Sequence, residues 1–353
     1  MTREMINSAE AINEAMHIAM DLDASVIAYG LGIDDPKTIF GTTKGLKERF
    51  GPNRVFDTPT SENAMTGIGV GAALGGLKPV MCHQRLDFFL LALDQLVNNA
   101  AKWHYTFGSG NNVPITIRLI LGRGWGQGPT HSQNLQAWFA HIPGLKVVMP
   151  SNPIDAKGLL LSAIFDPDPV IFLEHRWIHH ALGDVPEGDI RTPIGKARVA
   201  RAGSAITIVA MSYLVAEAHH ACAALSKIGI ECELIDLVSI KPLDVETIRC
   251  SLEKTGRLLV LDTGPEMCSV SSEIIAHFAM NHLSLLKVSP QRLASPDCPE
   301  PTSYGLSKAF YIDAKKIMSK VCDVLKVAEA PYHLLPAERP YHDVPGDWFT
   351  GPF

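Results

Sequence analysis

Short apolar runs alternate with longer stretches of helical spacing along the whole chain. In the first half, residues 25–29, 54–56, 78–82, 113–120, 146–149 and 169–174 are rich in β-branched and aliphatic residues and read as short buried strands. Between them, 9–20 (capped by Ser8), 44–50, 61–74, 87–105 and 153–165 carry apolar residues at helical spacing. The stretch 183–193, GDVPEGDIRTP, is dense in proline, glycine and charge and reads as a linker. Beyond it the alternation restarts, with strands over 206–211, 231–236 and 258–261 and helices over 214–227, 245–254 and 271–282. Strands alternating with helices of this length predict parallel pairing through right-handed crossovers. The fold class is therefore α/β with two parallel-sheet domains: residues 1–185, a linker over 186–203, a second domain over 204–330, and an extended tail over 331–353.

Composition narrows the function. With 46% hydrophobic and 19% charged residues, the chain has the make-up of an ordinary globular protein. A formal charge of -6 and the lack of a basic stripe argue against a nucleic-acid partner. No apolar run is long enough to span a membrane, and the first 24 residues lack the apolar core of a signal peptide. The seven cysteines are scattered, with no C-x-x-C pair, which points to a reducing cytoplasm.

One stretch combines a strand, an acid and an unusual helix: RVFDTPTSENAMTGIGVGAALGG, residues 54–76. Ser61 is placed to cap a helix whose first turn holds Glu62. Gly67, Gly71 and Gly75 recur every fourth residue, so they share a face that a neighbouring backbone could approach closely. Taken alone, Glu62 is an acid interacting with a helix dipole. A glycine-rich loop follows at 121–133, and a histidine at its end, His131, can act as an acid or base near neutral pH.

Glu62, four residues, then GIGVGA resembles the E-x-x-x-x-G-Φ-x-x-G-Q pattern of thiamine diphosphate enzymes, with Ala72 where the final Gln would stand. RVFDTP, LDQLVNNAAKWHY at 93–105, HSQ at 131–133, HIPGLKVVMPSNPIDAKGLLLSAI at 141–164, PVIFLE at 169–174 and KTGRLLVLD at 254–262 extend the resemblance over residues 25–325. Together they resemble the beta subunit of the decarboxylase component of 2-oxoacid dehydrogenases of the pyruvate and branched-chain type. The resemblance implies a transketolase-like pyrimidine-binding domain followed by the C-terminal domain of that architecture.

It also implies roles for single residues. Glu62 matches the acid that contacts a ring nitrogen of the aminopyrimidine and promotes the tautomer that activates the cofactor. Phe88, by itself a core residue, matches the aromatic side chain against that ring, and His131 matches the histidine beside substrate or acceptor. A structural potassium site in the family corresponds to Ile115, Ala163, Ile164, Asp166 and Asp168, with Asp168 in place of an Asn; read by themselves, these last residues are an acidic helix-to-strand loop. His175 and His179 are four apart but lack a third ligand and read as surface residues. No Gly-Asp-Gly occurs, so the Mg²⁺ and diphosphate are expected on an alpha subunit, in a heterotetramer.

The expected activity is decarboxylation of a small 2-oxoacid and transfer of the acyl unit to a lipoyl group on an acyltransferase. A two-subunit carboligase and a non-catalytic assembly subunit are the alternatives. Cys82-His83-Gln84-Arg85 departs from the pyruvate enzymes, and Arg85 with Arg123 is a candidate pair for an anionic substrate.

Overall fold

The parallel strands gather into two sheets. The computed structural model describes residues 4–35, 37–336 and 341–344. The first sheet has seven strands in the order Ser239–Lys241, Lys146–Val148, Val170–His175, Thr116–Leu121, Lys78–His83, Val26–Gly30, Val55–Asp57. Every neighbouring pair is parallel except the first. Its central strands Thr116–Leu121 and Val170–His175 are buried at every position, as strands covered on both faces must be.

The helices Ser8–Leu22 and Pro153–Ile164 pack together on one face of this sheet, around Ile12, Met16, Leu160 and Phe172. The other face holds Phe89, Leu96, Met65 and Val70, and the same core continues into Met211, Ile235, Val260 and Phe278 of the second half. The second sheet has five strands in the order Gln291–Ser295, Leu258–Pro265, Thr207–Ala210, Glu233–Asp236, Arg198–Arg201. Its outer face packs on the helices Leu214–Ser226 and Ala314–Leu325.

Several expectations are corrected. The first helix is capped by Asn7, not Ser8: Asn7 Oδ1 accepts the Glu10 N–H at 2.9 Å and Glu10 returns an acceptor to the Asn7 N–H at 2.8 Å. Such a reciprocal cap contributes about 1 kcal/mol, and both partners are legible in the N-x-x-E spacing. The long helix over 87–105 keeps a helical path, but its hydrogen bonding shifts between α, 3₁₀ and π registers across Leu86–Phe89, Leu90–Ala92, Gln95–Ala100 and Trp103–Thr106. The π segment lies opposite Gly67, where an added Cβ would stand 3.4 Å from Gln95 Oε1.

Within this chain, the glycine that side chains crowd is Gly69, against Tyr29 and Ile115, while the face of Gly71 stays open. A Cβ on Gly69 would lie 2.1 Å from Tyr29 Oη, whereas nothing lies within 4 Å of one on Gly71. The expected linker over 186–203 ends in Arg198–Arg201, an antiparallel edge strand of the second sheet. The strand Ser239–Lys241, unforeseen, carries the second half back to the edge of the first sheet. Part of the expected tail, residues 337–340 and 345–353, lies outside the described residues. Among the described residues, no helix is long and apolar enough to cross a membrane.

Candidate functional site

Three loops leave the carboxyl ends of neighbouring parallel strands, the edge at which open α/β sheets bind ligands. The loop after Val55–Asp57 leads to Glu62, the one after Lys78–His83 to Arg85, Asp87 and Phe88, and the one after Thr116–Leu121 to Arg123 and His131. Val26–Gly30 pairs with the first of these strands on one side and the second on the other, so the connections diverge around it.

Glu62 opens the helix Glu62–Leu74 and is 92% removed from solvent, with a relative exposure of 8%. Ser61 precedes it but makes no side-chain cap. Among the described residues, the Glu62 carboxylate has no hydrogen-bond partner; only its main-chain carbonyl is engaged, by Thr66. Its carboxylate is thus open to a partner from outside the chain, at a helix head where negative charge is favoured.

Phe88 shows the opposite anomaly. It is not a core residue: its ring is 43% exposed and meets His131 edge to face, with centroids 5.3 Å apart. The two residues come from different loops, which are tied together by Gln133, whose main-chain N–H and Nε2 donate to Asp87 Oδ1 at 3.2 and 2.9 Å. Thr130 Oγ1 lies 3.0 Å from His131 Nδ1, so Nε2 is the ring nitrogen left for other work. The second half braces this loop through Gln136, which donates to Asp262 at 2.6 Å and Thr263 at 3.1 Å.

Arg85 and Arg123 are both buried. Burial draws the Arg85 guanidinium below its usual range, against the pull of Asp87. Arg123 is enclosed by rings, its guanidinium 3.4 Å from the Trp177 centroid, 3.9 Å from Tyr311 and 4.8 Å from Tyr213. Nearby, burial pushes the Glu300 carboxyl up to about 8, although Tyr311, Arg123 and Asn134 oppose it. No local pattern marks Glu300, because its partners are brought to it by the meeting of the two halves.

His175 and His179 are buried, not on the surface. His175 Nδ1 accepts the Trp177 N–H at 3.1 Å, and His179 Nε2 lies 3.5 Å from Glu174 Oε2. Burial holds both imidazoles below their ordinary value. Glu174 also receives Arg118, a buried ion pair absent from the sequence reading; lone charges inside the apolar runs VPITIRLI and PVIFLE were its signal.

At the helix-to-strand loop, the ammonium of Lys146 bonds Asp166 at 2.7 and 2.8 Å and Asp168 at 3.0 Å. The Ile115 and Ala163 carbonyls accept the Val170 and Asp166 N–H groups. The oxygen donors suit a hard cation in kind, but an ion there would share both carboxylates with Lys146, and no step of the reaction below passes through it. Among the described residues, no group of three or more His, Cys, Asp or Glu could hold a metal ion.

Residues 4–178 match the family described as transketolase, pyrimidine binding domain, and residues 195–317 match transketolase, C-terminal domain. The chain is 40% identical over 326 residues to the acetoin:2,6-dichlorophenolindophenol oxidoreductase subunit beta of Cupriavidus necator, covering 90% of this chain and 96% of the relative. It is 40% identical over 303 residues to the mitochondrial pyruvate dehydrogenase E1 component subunit beta-1 of Oryza sativa subsp. japonica, covering 85% and 81%. It is 39% identical over 310 residues to the 2-oxoisovalerate dehydrogenase subunit beta of Bacillus subtilis, covering 87% and 95%. A solved split gene transketolase, an inactive beta4 tetramer, superposes with a TM-score of 0.75 at 19% identity over 92% of this chain and 99% of that one, a likeness of fold.

Proposed function

Because the chain belongs to the beta subunits of the thiamine diphosphate-dependent 2-oxoacid dehydrogenases, with transketolase-type pyrimidine-binding and C-terminal domains, we propose that Glu62, Phe88 and His131 form its half of the cofactor and substrate site. The observation that carries this reading is the carboxylate of the largely enclosed Glu62, which no group among the described residues engages, at the same sheet edge as the exposed ring of Phe88. An acid sharing a proton with a ring nitrogen and an aromatic face for that ring are what an aminopyrimidine needs, so the residues present fit the group.

When bound, thiamine diphosphate supplies the nucleophilic carbon and the electron sink that decarboxylation of a 2-oxoacid requires. Glu62 would hold and share the proton of the aminopyrimidine nitrogen. Phe88 would wall off water on one side of that ring. His131 Nε2 would move or stabilise a proton at the substrate oxygen, its orientation set by Thr130 and by the Asp87–Gln133 tie.

We further propose a heterotetramer with an alpha subunit holding Mg²⁺ and the diphosphate, and a lipoyl group on an acyltransferase as acceptor. Relatives named for acetoin, pyruvate and 2-oxoisovalerate match at 39–40% identity, so identity does not separate the substrates. The test is product analysis of the reconstituted complex supplied with small 2-oxoacids and, separately, with acetoin, with and without a lipoylated domain. Acyl transfer that depends on the lipoyl domain is expected. Carbon–carbon ligation without it would establish the carboligase reading, and no turnover of acetoin or of any 2-oxoacid would favour an assembly role.

Of the two arginines, we propose Arg85 as the contact for an anionic substrate group; the rings around Arg123 suit an anchor for its loop. Arg85→Leu is expected to raise KM for dicarboxylic or otherwise anionic 2-oxoacids about tenfold, equivalent to roughly 1.4 kcal/mol of binding, and to leave small apolar 2-oxoacids nearly unaffected. Equal KM values for both classes in variant and wild type would remove Arg85 from substrate selection.

A further inference from the structure

The loop that ends in His131 is covered at its apex by a segment far away in sequence. Asp343 is 8% exposed and Val344 6% exposed. Asp343 Oδ2 accepts the main-chain N–H of Trp125 at 3.2 Å. The Asp343 carbonyl sits so close to Gly124 that a Cβ there would lie 2.0 Å from its oxygen; Gly124 also has φ +67, so both space and backbone require glycine. The segment is pinned on its other side, because His342 Nε2 lies 2.9 Å from Ser307 Oγ and its ring lies 4.1 Å from that of Tyr304.

From this apex the chain reaches His131 through tight turns with little slack. The Gln127 N–H donates to the Gly124 carbonyl at 3.2 Å, and the His131 N–H to the Gly128 carbonyl at 3.4 Å. Gly128 is itself covered by Thr302, whose hydroxyl would lie 2.2 Å from an added Cβ. The Gly124 N–H donates to Tyr311 Oη at 3.0 Å. Displacing Trp125 therefore displaces a linked series of turns, and the histidine lies at their end.

We propose that Asp343 is a positioning residue: its carboxylate fixes the apex of the glycine-rich loop and through it the placement of His131. This rests on His131 belonging to the site, so the test reads the loop and the chemistry separately. Arg123, buried inside the loop, is a tryptic site that becomes available only when the loop is released.

In the full chain, Asp343→Ala is expected to speed cleavage after Arg123 at least tenfold relative to cleavage elsewhere, whereas Asp343→Asn, which keeps an acceptor oxygen, should behave as wild type. In the complex with the alpha subunit, Asp343→Ala should lower kcat about tenfold with KM changed less, and Asp343→Asn should restore it. Unchanged cleavage after Arg123 in the alanine variant would overturn the proposal. Faster cleavage with full kcat would overturn the link to His131 while leaving the contact with the loop in place. Faster cleavage at all sites would show general destabilisation and would also count against it.

Discussion

Glu62→Gln is expected to lower turnover of the reconstituted complex by about 10² or more while the melting temperature of the chain stays within a degree or two of wild type. The change keeps the size of the side chain and removes only its acid. No hydrogen bond within the described residues depends on that carboxylate, so the fold loses nothing by the substitution. Stability and activity should therefore separate, which they do not when a structural acid is removed. Turnover within a few-fold of wild type would show that no proton is shared at this position.

The second large effect concerns stability. Arg118 Nε and Nη2 each donate to the Glu174 carboxylate at 3.0 Å, Nη2 donates to Thr42 Oγ1 at 2.9 Å, and both charged side chains are almost wholly buried. Arg118→Leu leaves Glu174 charged and buried without its counter-ion, a loss of about 3–5 kcal/mol. The melting temperature should fall by on the order of 10 °C. Replacing both partners by leucine should recover most of the loss, because the pair offsets its own desolvation only in part.

The pH dependence follows from the sign of the Glu174 shift. Burial alone would raise its carboxyl, but Arg118 and His179 outweigh burial and hold it below its ordinary value of 4.5. A depressed folded value means that the contribution is present above the unfolded value and is lost as pH falls through the folded one. The gap between wild type and Arg118→Leu should thus be widest near neutral pH and narrow in acid. A melting temperature unchanged at pH 7 would mean that the pair contributes no net stability.

What the chain discloses by itself is largely local. The buried strands and the helix headed by Glu62 are legible because parallel sheets demand continuous apolar runs and helices demand periodic ones. Helix caps were half legible: Asn7 and Ser8 can both cap, and only the reciprocal position of Glu10 decides between them. Phe88 shows how pattern misleads, since an aromatic residue in an apolar helix reads as core until a neighbouring loop places His131 against it.

The least legible features join distant residues. Asp87 meets Gln133 across 46 positions, Arg118 meets Glu174 across 56, and Trp125 meets Asp343 across 218. No periodicity encodes such pairings. Spacing also misplaced His175 and His179, whose burial follows from the strand Val170–His175 and the turn Arg176–Ile178 being packed between the two halves.

The central claim is that this chain contributes the aminopyrimidine side of a shared cofactor site, and titration calorimetry with thiamine diphosphate and Mg²⁺ tests it most directly. The chain alone should bind weakly and show little Mg²⁺ dependence, since it has no Gly-Asp-Gly segment for the diphosphate. The complex with the alpha subunit should bind tightly and only with Mg²⁺. Tight, Mg²⁺-dependent binding by the chain alone, or equally weak binding by the complex, would contradict the account.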